Sequence, residues 1–388
     1  SVQENVSAIR VVKAYVREDY EKKKFQKAAE DVCNDFTHAE KIMALNMPAM
    51  QLCMYTNMVV ILYFGSYMII SSKGQTFDVG QLSTLVTYGA QILMSLMMLS
   101  MVFVMIIMAN ESAARIAEVL KEESTLHDPE NPAFEVKDGS VDFDNVSFRY
   151  SEKAEKMSLS GINLHIKSGE TIGIIGGTGS SKTSLIQLIS RLYDASEGTV
   201  KVGGLDVRDY DLEALRNQVA VVLQKNILFS GTIKENLRWG NKDASDAEIE
   251  EACRLACADE FIQGFPDKYD TYIEQGGANV SGGQKQRLCI ARALLKKPKI
   301  IILDDSTSAV DTKTDAQIRK AFASYIPDTT KIIIAQRVAS VQDSDRIIVM
   351  NNGTIDAIGT HDELLKSNEI YREVYTSQVK GGGDENEK

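Results

Sequence analysis

Two long uncharged segments constrain the fold of this chain more than any other feature of its sequence. Residues 42–70 contain no Asp, Glu, Lys or Arg, and residues 81–110 are likewise uncharged and dominated by Leu, Met, Val and Ile. Each is longer than the roughly 20 residues that an α-helix needs to cross a bilayer. The alternative is a pair of buried helices in a soluble protein, but the length and the lack of charge favour two membrane spans.

Positive charges flank these two spans unevenly. The short polar loop at 71–80 carries a single Lys, whereas the other flanks are rich in cations: Lys22, Lys23, Lys24, Lys27 and Lys41 before the first span, Arg115 and Lys121 after the second. Cytoplasmic flanks of membrane helices are enriched in Lys and Arg. The sequence therefore predicts that both ends of the chain lie in the cytoplasm.

The composition of the chain changes after residue 124, and this change indicates further domain boundaries. Residues 1–124 are predicted as the membrane part with its extensions, 125–140 as a linker with two prolines, 141–380 as a soluble domain, and 381–388 as a polar tail. Within the domain, residues 212–265 are rich in Ala, Glu and Leu and predict a helical subdomain. The net charge of −11 argues against a nucleic-acid surface.

A glycine-rich loop follows a strongly apolar run in the soluble domain. The run at 171–175 predicts a buried strand, and residues 184–190 have helical character. A strand, a glycine-rich loop and a helix start form a setting in which backbone N–H groups hold phosphates. The residues predicted to bind nucleotide here are Gly176, Gly177, Thr178, Gly179, Ser180, Ser181, Lys182, Thr183 and Ser184.

Three residues of this loop have specific expected tasks. Lys182 is expected to meet the β- and γ-phosphates of ATP, and Thr183 to offer its hydroxyl to Mg²⁺. Ser181 stands where the general pattern has Gly. Since Ser is small and a good N-cap, we expect it to cap the helix start and to leave ATP binding intact.

A second apolar run, residues 300–303, ends in two carboxylates, Asp304 and Asp305. Between the two runs, residues 280–287 read Val-Ser-Gly-Gly-Gln-Lys-Gln-Arg, which resembles the signature motif of ATP-binding-cassette (ABC) proteins. Gln224 and the stretch 308–311 complete the landmarks of that family in the right order. The resemblance implies an α-helical membrane region of two transmembrane helices with cytoplasmic extensions, followed by an α/β P-loop ABC ATPase domain with a helical subdomain.

The family resemblance also implies roles for individual residues. Tyr150 would stack on adenine, Asp304 would hold Mg²⁺ through water, Gln224 would sense Mg²⁺ and the attacking water, and Asp311 would lie at the nucleotide. The signature residues would contact ATP bound to the opposite subunit, because two cassettes dimerise head to tail; they are Ser281, Gly282, Gly283 and Gln284.

Two positions depart from the family pattern in one composite site. Asp305 stands where the family carries a catalytic Glu, and Gln336 where it carries a His. The departures predict a degenerate ATP site with low turnover, in one half of a heterodimeric exporter of the multidrug or lipid type. Two alternatives remain open, a soluble ABC ATPase acting in DNA repair or translation and a regulatory nucleotide-binding module without a transport role.

The membrane segments carry a similar resemblance. Residues 9–19 and 113–120 resemble the segments that flank the fifth and sixth membrane helices of ABC exporters, so we expect this chain to be the C-terminal part of a longer protein. The implied setting is a multi-pass protein of the plasma membrane with its nucleotide domain in the cytoplasm. The implied partners are a second half-transporter and an exported small molecule, lipid or peptide. A stripe of five methionines is interpreted either as a wall for substrates or as helix packing or lipid contact: Met94, Met98, Met101, Met105 and Met108.

Overall fold

The protein divides near Glu123 into two units, Ser1–Glu123 and the residues from Ser124 onward. The computed structural model describes residues 2–73, 75–305 and 312–383. Each unit is built on its own set of elements, and each is described separately below.

The first unit is helical. Its helices are α1 (Val2–Ser7), α2 (Ile9–Ala14), α3 (Glu18–Ala44), α4 (Asn46–Ser72) and α5 (Val79–Lys121). Among the described residues, two helical stretches, Glu18–Ser72 and Val79–Lys121, are long and apolar enough to cross a membrane by length and composition. The first includes the charged helix α3, which Leu45 alone separates from α4. The predicted spans 42–70 and 81–110 therefore fall on helix, apart from Leu45.

Helices α4 and α5 form a hairpin in which glycines allow close approach. A Cβ atom on Gly65 would lie 2.4 Å from Cδ1 of Leu82, and one on Gly89 would lie 2.7 Å from Nδ2 of Asn57. Small residues at such crossings let helix backbones approach in membranes, where packing rather than hydrophobic burial drives association. The second helix begins with a capping box between Asp78 and Gln81.

The second unit contains twelve strands in the part of the chain that the structure describes. They are β1 (Val141–Phe148), β2 (Leu159–Ile166), β3 (Thr171–Gly176), β4 (Glu197–Val202), β5 (Leu205–Asp206), β6 (Val219–Val222), β7 (Gly231–Thr232), β8 (Tyr272–Ile273), β9 (Ile300–Asp304), β10 (Thr330–Ile334), β11 (Arg346–Asn351) and β12 (Thr354–Gly359). The helices are α6 (Lys182–Ile189), α7 (Leu212–Gln218), α8 (Ile233–Arg238), α9 (Asp246–Leu255), α10 (Asp259–Gln263), α11 (Gly282–Leu295), α12 (Thr312–Tyr325), α13 (His361–Ser367) and α14 (Glu369–Gly383). Short 3-10 turns lie at Val207–Asp209, Lys268–Asp270, Gln275–Gly277 and Val338–Ser340.

A six-stranded sheet in the order β12-β11-β3-β10-β9-β6 forms the centre of this unit. Its strands are parallel except for the edge strand β12. Strand β9 is buried on both faces: Ile300 and Ile302 belong to one hydrophobic cluster, Ile301 and Leu303 to the other. Burial on both faces explains why this strand is apolar at every position before Asp304 rather than at alternate ones.

The boundaries of two predicted regions differ in the structure. Strand β6 lies inside the predicted helical subdomain 212–265 but pairs with β9 in the central sheet. The prediction was wrong at this point because the run Val219–Val222 is too short to show a period among helix-forming neighbours. Helix α14 continues to Gly383, into the predicted polar tail 381–388, and residues 384–388 lie outside the described residues.

The parallel sheet brings the predicted motifs to one edge. The glycine-rich loop leaves β3, Asp304 ends β9 and Asp305 follows it, Gln224 follows β6, and Gln336 follows β10. Register pairs Ile334 of β10 with Asp304 of β9 and with Ile174 of β3. Because ligands of open parallel sheets bind outside the carboxyl ends of the strands, this edge is the candidate site.

Candidate nucleotide site

The glycine-rich loop joins β3 to α6 through a backbone that needs glycine at two positions. Gly179 has a φ of +81°, which L side chains rarely adopt. A Cβ atom on Gly176 would lie 2.4 Å from the carbonyl oxygen of Met350. Among the described residues, no atom lies within 4 Å of the position of a Cβ atom on Gly177.

Lys182 at the start of α6 folds back onto the loop. Its Nζ atom donates to the carbonyl oxygens of Gly176 at 2.9 Å and Gly177 at 2.8 Å, and lies 3.2 Å from Oγ of Ser180. These bonds match the three donors of an ammonium group. Burial lowers the pKa of Lys182, an effect that the nearby charges of Asp304 and Asp305 oppose. The cation is thus placed inside the loop where a phosphate would compete with backbone carbonyls for it.

Ser181 does not cap α6, and the expectation of a cap was wrong. The residue lies in the left-handed region with a φ of +68°, and its side chain makes no capping hydrogen bond. An N-cap normally has extended backbone, which directs its hydroxyl toward the N–H groups of the first turn. The left-handed conformation also explains why the general pattern has Gly here, since only Gly adopts it without strain.

Tyr150 is held at its hydroxyl end and exposed elsewhere. The hydroxyl lies 2.8 Å from Oγ of Ser184 and donates to Oε1 of Gln187 at 3.0 Å. Its ring meets the rings of Phe148 and Tyr193 edge to face, at centroid distances of 4.8 Å and 5.2 Å. With 51% of its surface exposed, the ring keeps area available for stacking. Ser184 is buried and contacts this tyrosine, so its position is one that supports Tyr150.

Asp304 connects the end of β9 to the phosphate loop. Its Oδ2 accepts a hydrogen bond of 2.9 Å from the hydroxyl of Thr183, and the residue is only 3% exposed. Burial is the main cause that raises the pKa of Asp304, and the charge of Asp305 adds to it. A hydroxyl and a buried carboxylate side by side are the hard oxygen donors that Mg²⁺ prefers. The residues present therefore fit Mg²⁺.

Asp305 is held by two glutamine side chains. Its Oδ2 accepts hydrogen bonds from Nε2 of Gln336 at 2.7 Å and from Nε2 of Gln224 at 3.2 Å. The carboxylate is 8% exposed, whereas both glutamines are exposed. One carboxylate oxygen thus joins the segments that follow β6, β9 and β10. The sequence-predicted residues Gln224, Asp305 and Gln336 are together at one point.

One further residue at this point was missed by the sequence analysis. Gln378 of α14 donates from Nε2 to the carbonyl oxygen of Gln336 at 2.7 Å, and its Oε1 accepts from the N–H of Val338 at 2.9 Å. The contact joins positions 42 residues apart. No motif surrounds Gln378, so the sequence carries no local signal for it.

The signature residues begin α11 with a capping box. Oγ of Ser281 accepts from the N–H of Gln284 at 3.3 Å, and Oε1 of Gln284 accepts from the N–H of Ser281 at 2.9 Å. Ser281 and Gly282 are exposed, and Gly283 is partly exposed. In the described part of the chain, none of these four residues hydrogen-bonds to the phosphate loop. Asp311, predicted to lie at the nucleotide, falls outside the described residues.

Two family models match the chain. One described as ABC transporter matches residues 159–308, and one described as ABC transporter transmembrane region matches residues 1–110. Among solved structures, a bacterial Atm1-family ABC exporter with ATP bound is similar with a TM-score of 0.88 and 30% identity, covering 97% of this chain and 66% of that one. The family models and the solved structure therefore both match the two units of the chain.

Relatives in Bacillus subtilis match at higher identity. The ABC transporter ATP-binding protein YfiB is 39% identical over 99% of this chain and 66% of its own length. The ATP-binding/permease protein YgaD, named for multidrug export, is 44% identical over 62% of this chain and 41% of its own length. The chain therefore spans just under two thirds of YfiB. It belongs to the ABC transporter family, with a helical transmembrane region followed by an α/β ATPase domain.

Proposed function

We propose that this protein is one subunit of an ATP-driven ABC exporter, that it binds MgATP at a slow site of its own, and that it completes a faster site in a partner. The hydrogen bond between Gln336 and Asp305 is the observation that carries the proposal. It joins the two residues that depart from the family pattern, so they act as one unit rather than as two independent changes.

Nucleotide binding rests on the phosphate loop and the residues around it. Lys182 would exchange its contacts with loop carbonyls for the β- and γ-phosphates, and the exposed ring of Tyr150 would stack on adenine. Thr183, Asp304 and Gln224 would hold Mg²⁺, which neutralises phosphate charge when bound. Backbone N–H groups at the start of α6 favour binding of the phosphate groups of ATP.

Slow hydrolysis follows from the group that faces the γ-phosphate. Asp305 is one methylene shorter than Glu, and misplacement by about 1 Å can lower a rate about 100-fold. Two amide donors already occupy its Oδ2 atom. Gln336 can donate a hydrogen bond, but unlike His it cannot accept and carry a proton at neutral pH.

The signature motif supports a partner subunit. Ser281 and Gly282 are exposed at the N-terminus of α11, where N–H groups and the helix dipole favour an anion. In a head-to-tail dimer they would face ATP bound to the second half-transporter, for which we expect Glu and His at the positions of Asp305 and Gln336. A heterodimer would then have one slow and one fast site.

Export across the plasma membrane is the whole-protein activity that fits this arrangement. We infer a multi-pass protein with a cytoplasmic ATPase domain and a small molecule, lipid or peptide as cargo; the name of YgaD favours drug-like cargo. The match to a transmembrane family model disfavours a soluble ATPase of DNA repair or translation. The remaining alternative is a regulatory nucleotide-binding subunit without a transport role.

ATP turnover of this protein, of a second half-transporter that carries Glu and His at the two positions, and of their mixture in proteoliposomes tests the proposal. We expect the mixture to hydrolyse ATP at least about tenfold faster than this protein alone, as intact catalytic groups contribute factors of this size or more. A Lys182→Ala variant should lose MgATP binding to this subunit, with Lys153→Ala as the control. Rapid turnover by this protein alone would contradict the slow site.

A further inference from the structure

Helix α14 is firmly attached to the ATPase domain before it reaches the nucleotide site. Tyr371 is fully buried, its hydroxyl lies 2.8 Å from Nδ1 of His361, and its N–H donates to Oδ1 of Asn368 at 2.8 Å. Asn368 in turn donates to Asp356 at 2.6 Å. The first turn of α14 is therefore fixed by burial and by a hydrogen-bond network.

Gln378 lies two helical turns after Tyr371 and grips the segment that follows β10. Its side-chain amide uses both polar ends on that segment, one on the carbonyl oxygen of Gln336 and one on the N–H of Val338. These two bonds define what we call the Gln378 clamp. A two-point contact fixes the direction of a backbone better than a single bond, because rotation about either bond breaks the other.

The clamp determines where the side chain of Gln336 can point. Gln336 is exposed, and a free glutamine side chain has several accessible rotamers, so its own packing does not hold it toward Asp305. Its backbone carbonyl is fixed by Gln378 at 2.7 Å while its amide reaches Asp305 at 2.7 Å. The contacts form a continuous path from α14 through Gln336 to the end of β9.

We propose that Gln378 is a positioning residue, which holds Gln336 in the orientation that faces the γ-phosphate and thereby makes the site favour MgATP over MgADP. The inference rests on the proposed function, because it deepens the role given there to Gln336. MgADP lacks the group that Gln336 would contact, so loss of the clamp should weaken MgATP binding selectively. A hydrogen bond of this kind corresponds to an affinity change of about three- to tenfold.

Photolabelling of this subunit with 8-azido-ATP, competed by MgATP or MgADP, measures both affinities in the assembled protein in nanodiscs. Gln378→Ala should weaken competition by MgATP about three- to tenfold and leave competition by MgADP within about twofold. Gln378→Glu should do the same, since its carboxylate accepts from Val338 but repels the carbonyl of Gln336. Glu373→Ala, an exposed change on another face of α14, is the matched control.

A double-variant comparison separates the clamp from a general effect on the fold. In a Gln336→Ala background, Gln378→Ala should cause no further change in the MgATP to MgADP ratio, because the side chain through which it acts is gone. Equal weakening of both nucleotides by Gln378→Ala would mean that Gln378 only stabilises the domain, and would overturn the proposal.

Two other outcomes are distinguishable. A changed ratio in Gln336→Ala but not in Gln378→Ala would overturn the clamp and leave the proposed role of Gln336 intact. An unchanged ratio in Gln336→Ala would overturn both that role and the clamp built on it. A selective loss of MgATP binding in both single variants, without addition in the double variant, is the result we expect.

Discussion

Nε2 of Gln336 lies 2.7 Å from Oδ2 of Asp305, and both residues depart from the ABC family pattern. The same oxygen also accepts a hydrogen bond from Nε2 of Gln224 at 3.2 Å. Two side-chain amides therefore supply hydrogen-bond donors to this buried carboxylate. Asp305 is one methylene shorter than the Glu of the family pattern, and the side-chain amide of Gln336 reaches its carboxylate. This contact is the main support for the slow site proposed above.

Ser181 provides a test of strain in the phosphate loop. Its left-handed backbone, with φ of +68°, is favourable for Gly and poor for a β-branched residue. We expect Ser181→Gly to change the free energy of unfolding by less than about 1 kcal/mol, because relief of strain is offset by the entropy of glycine. Ser181→Thr should destabilise the domain by about 1–3 kcal/mol.

The fluorescence of Trp239, the only tryptophan, follows unfolding of the ATPase domain, since its ring stacks on Phe229 at 4.2 Å. Ser160→Thr, at an exposed position of β2, controls for the added methyl group. If Ser181→Thr unfolds at the same temperature as the unmodified protein, the left-handed conformation is not a source of strain.

Asp304 leads to a prediction about pH. Burial raises the pKa of this carboxyl above its ordinary value, so the folded state retains the proton to a higher pH than the unfolded state does. The ionised group therefore lowers stability above the raised pKa, and this loss disappears as pH falls below it. Without nucleotide, Asp304→Asn should stabilise the domain by on the order of 1 kcal/mol at pH 7.5, and the gain should shrink toward acid pH.

Asp304→Asn should also gain less stability from bound MgATP, because an amide is a weaker donor to Mg²⁺ than a carboxylate. Thermal unfolding with and without MgATP measures both effects, and the exposed Asp243→Asn serves as the control. A stability gain that grows as pH falls would have the wrong sign for a carboxyl with a raised pKa, and would refute the account of Asp304.

How far the sequence could predict this site depended on the range of the contacts. The strand at 171–175 and the carboxylates after residue 303 follow from local patterns, and they lie where those patterns indicate. Ser181 was misjudged because a small polar residue before a helix normally indicates a cap, whereas the loop turns left-handed here. Gln378 was invisible because its contact with Gln336 depends on how α14 folds back along the domain.

The signature motif should matter more to the partner's site than to this one. Ser281→Arg would place bulk and charge at an exposed helix start where the partner's γ-phosphate is proposed to bind. Steady-state ATP turnover of the heterodimer should fall at least about 100-fold, as expected when positioned groups are displaced from a transition state. MgATP binding to this subunit should persist.

An equally large change on an exposed surface of α12, Ser324→Arg, controls for charge and size. Ser281→Ala isolates the loss of the cap. It should lower the free energy of unfolding by about 1 kcal/mol, and it should reduce turnover much less than Ser281→Arg does. Normal turnover in a verified Ser281→Arg heterodimer would contradict the head-to-tail arrangement.

Asp305 and Gln336, the two departures from the family pattern, offer the sharpest test of the proposed slow site. Asp305→Glu alone should raise hydrolysis at this site only about two- to fivefold, because Gln336 still donates its amide and still cannot carry a proton. Gln336→His alone should do little, since the carboxylate at residue 305 stays one methylene shorter than that of Glu. The double variant should exceed the product of the two single gains and reach at least about 100-fold, because both groups act on one transition state and such residues are not additive.

Turnover must be assigned to this site, so the partner's own catalytic Glu is replaced by Gln in every sample. A third variant, Asp305→Glu with Gln336→Ala, distinguishes the gain of a histidine from the mere loss of the amide donor. If it matches the double variant, release of the carboxylate from Gln336 is what limits hydrolysis. If the double variant stays as slow as the unmodified protein, the pair is not the cause of the slow site, and the left-handed Ser181 in the phosphate loop is the next position to change.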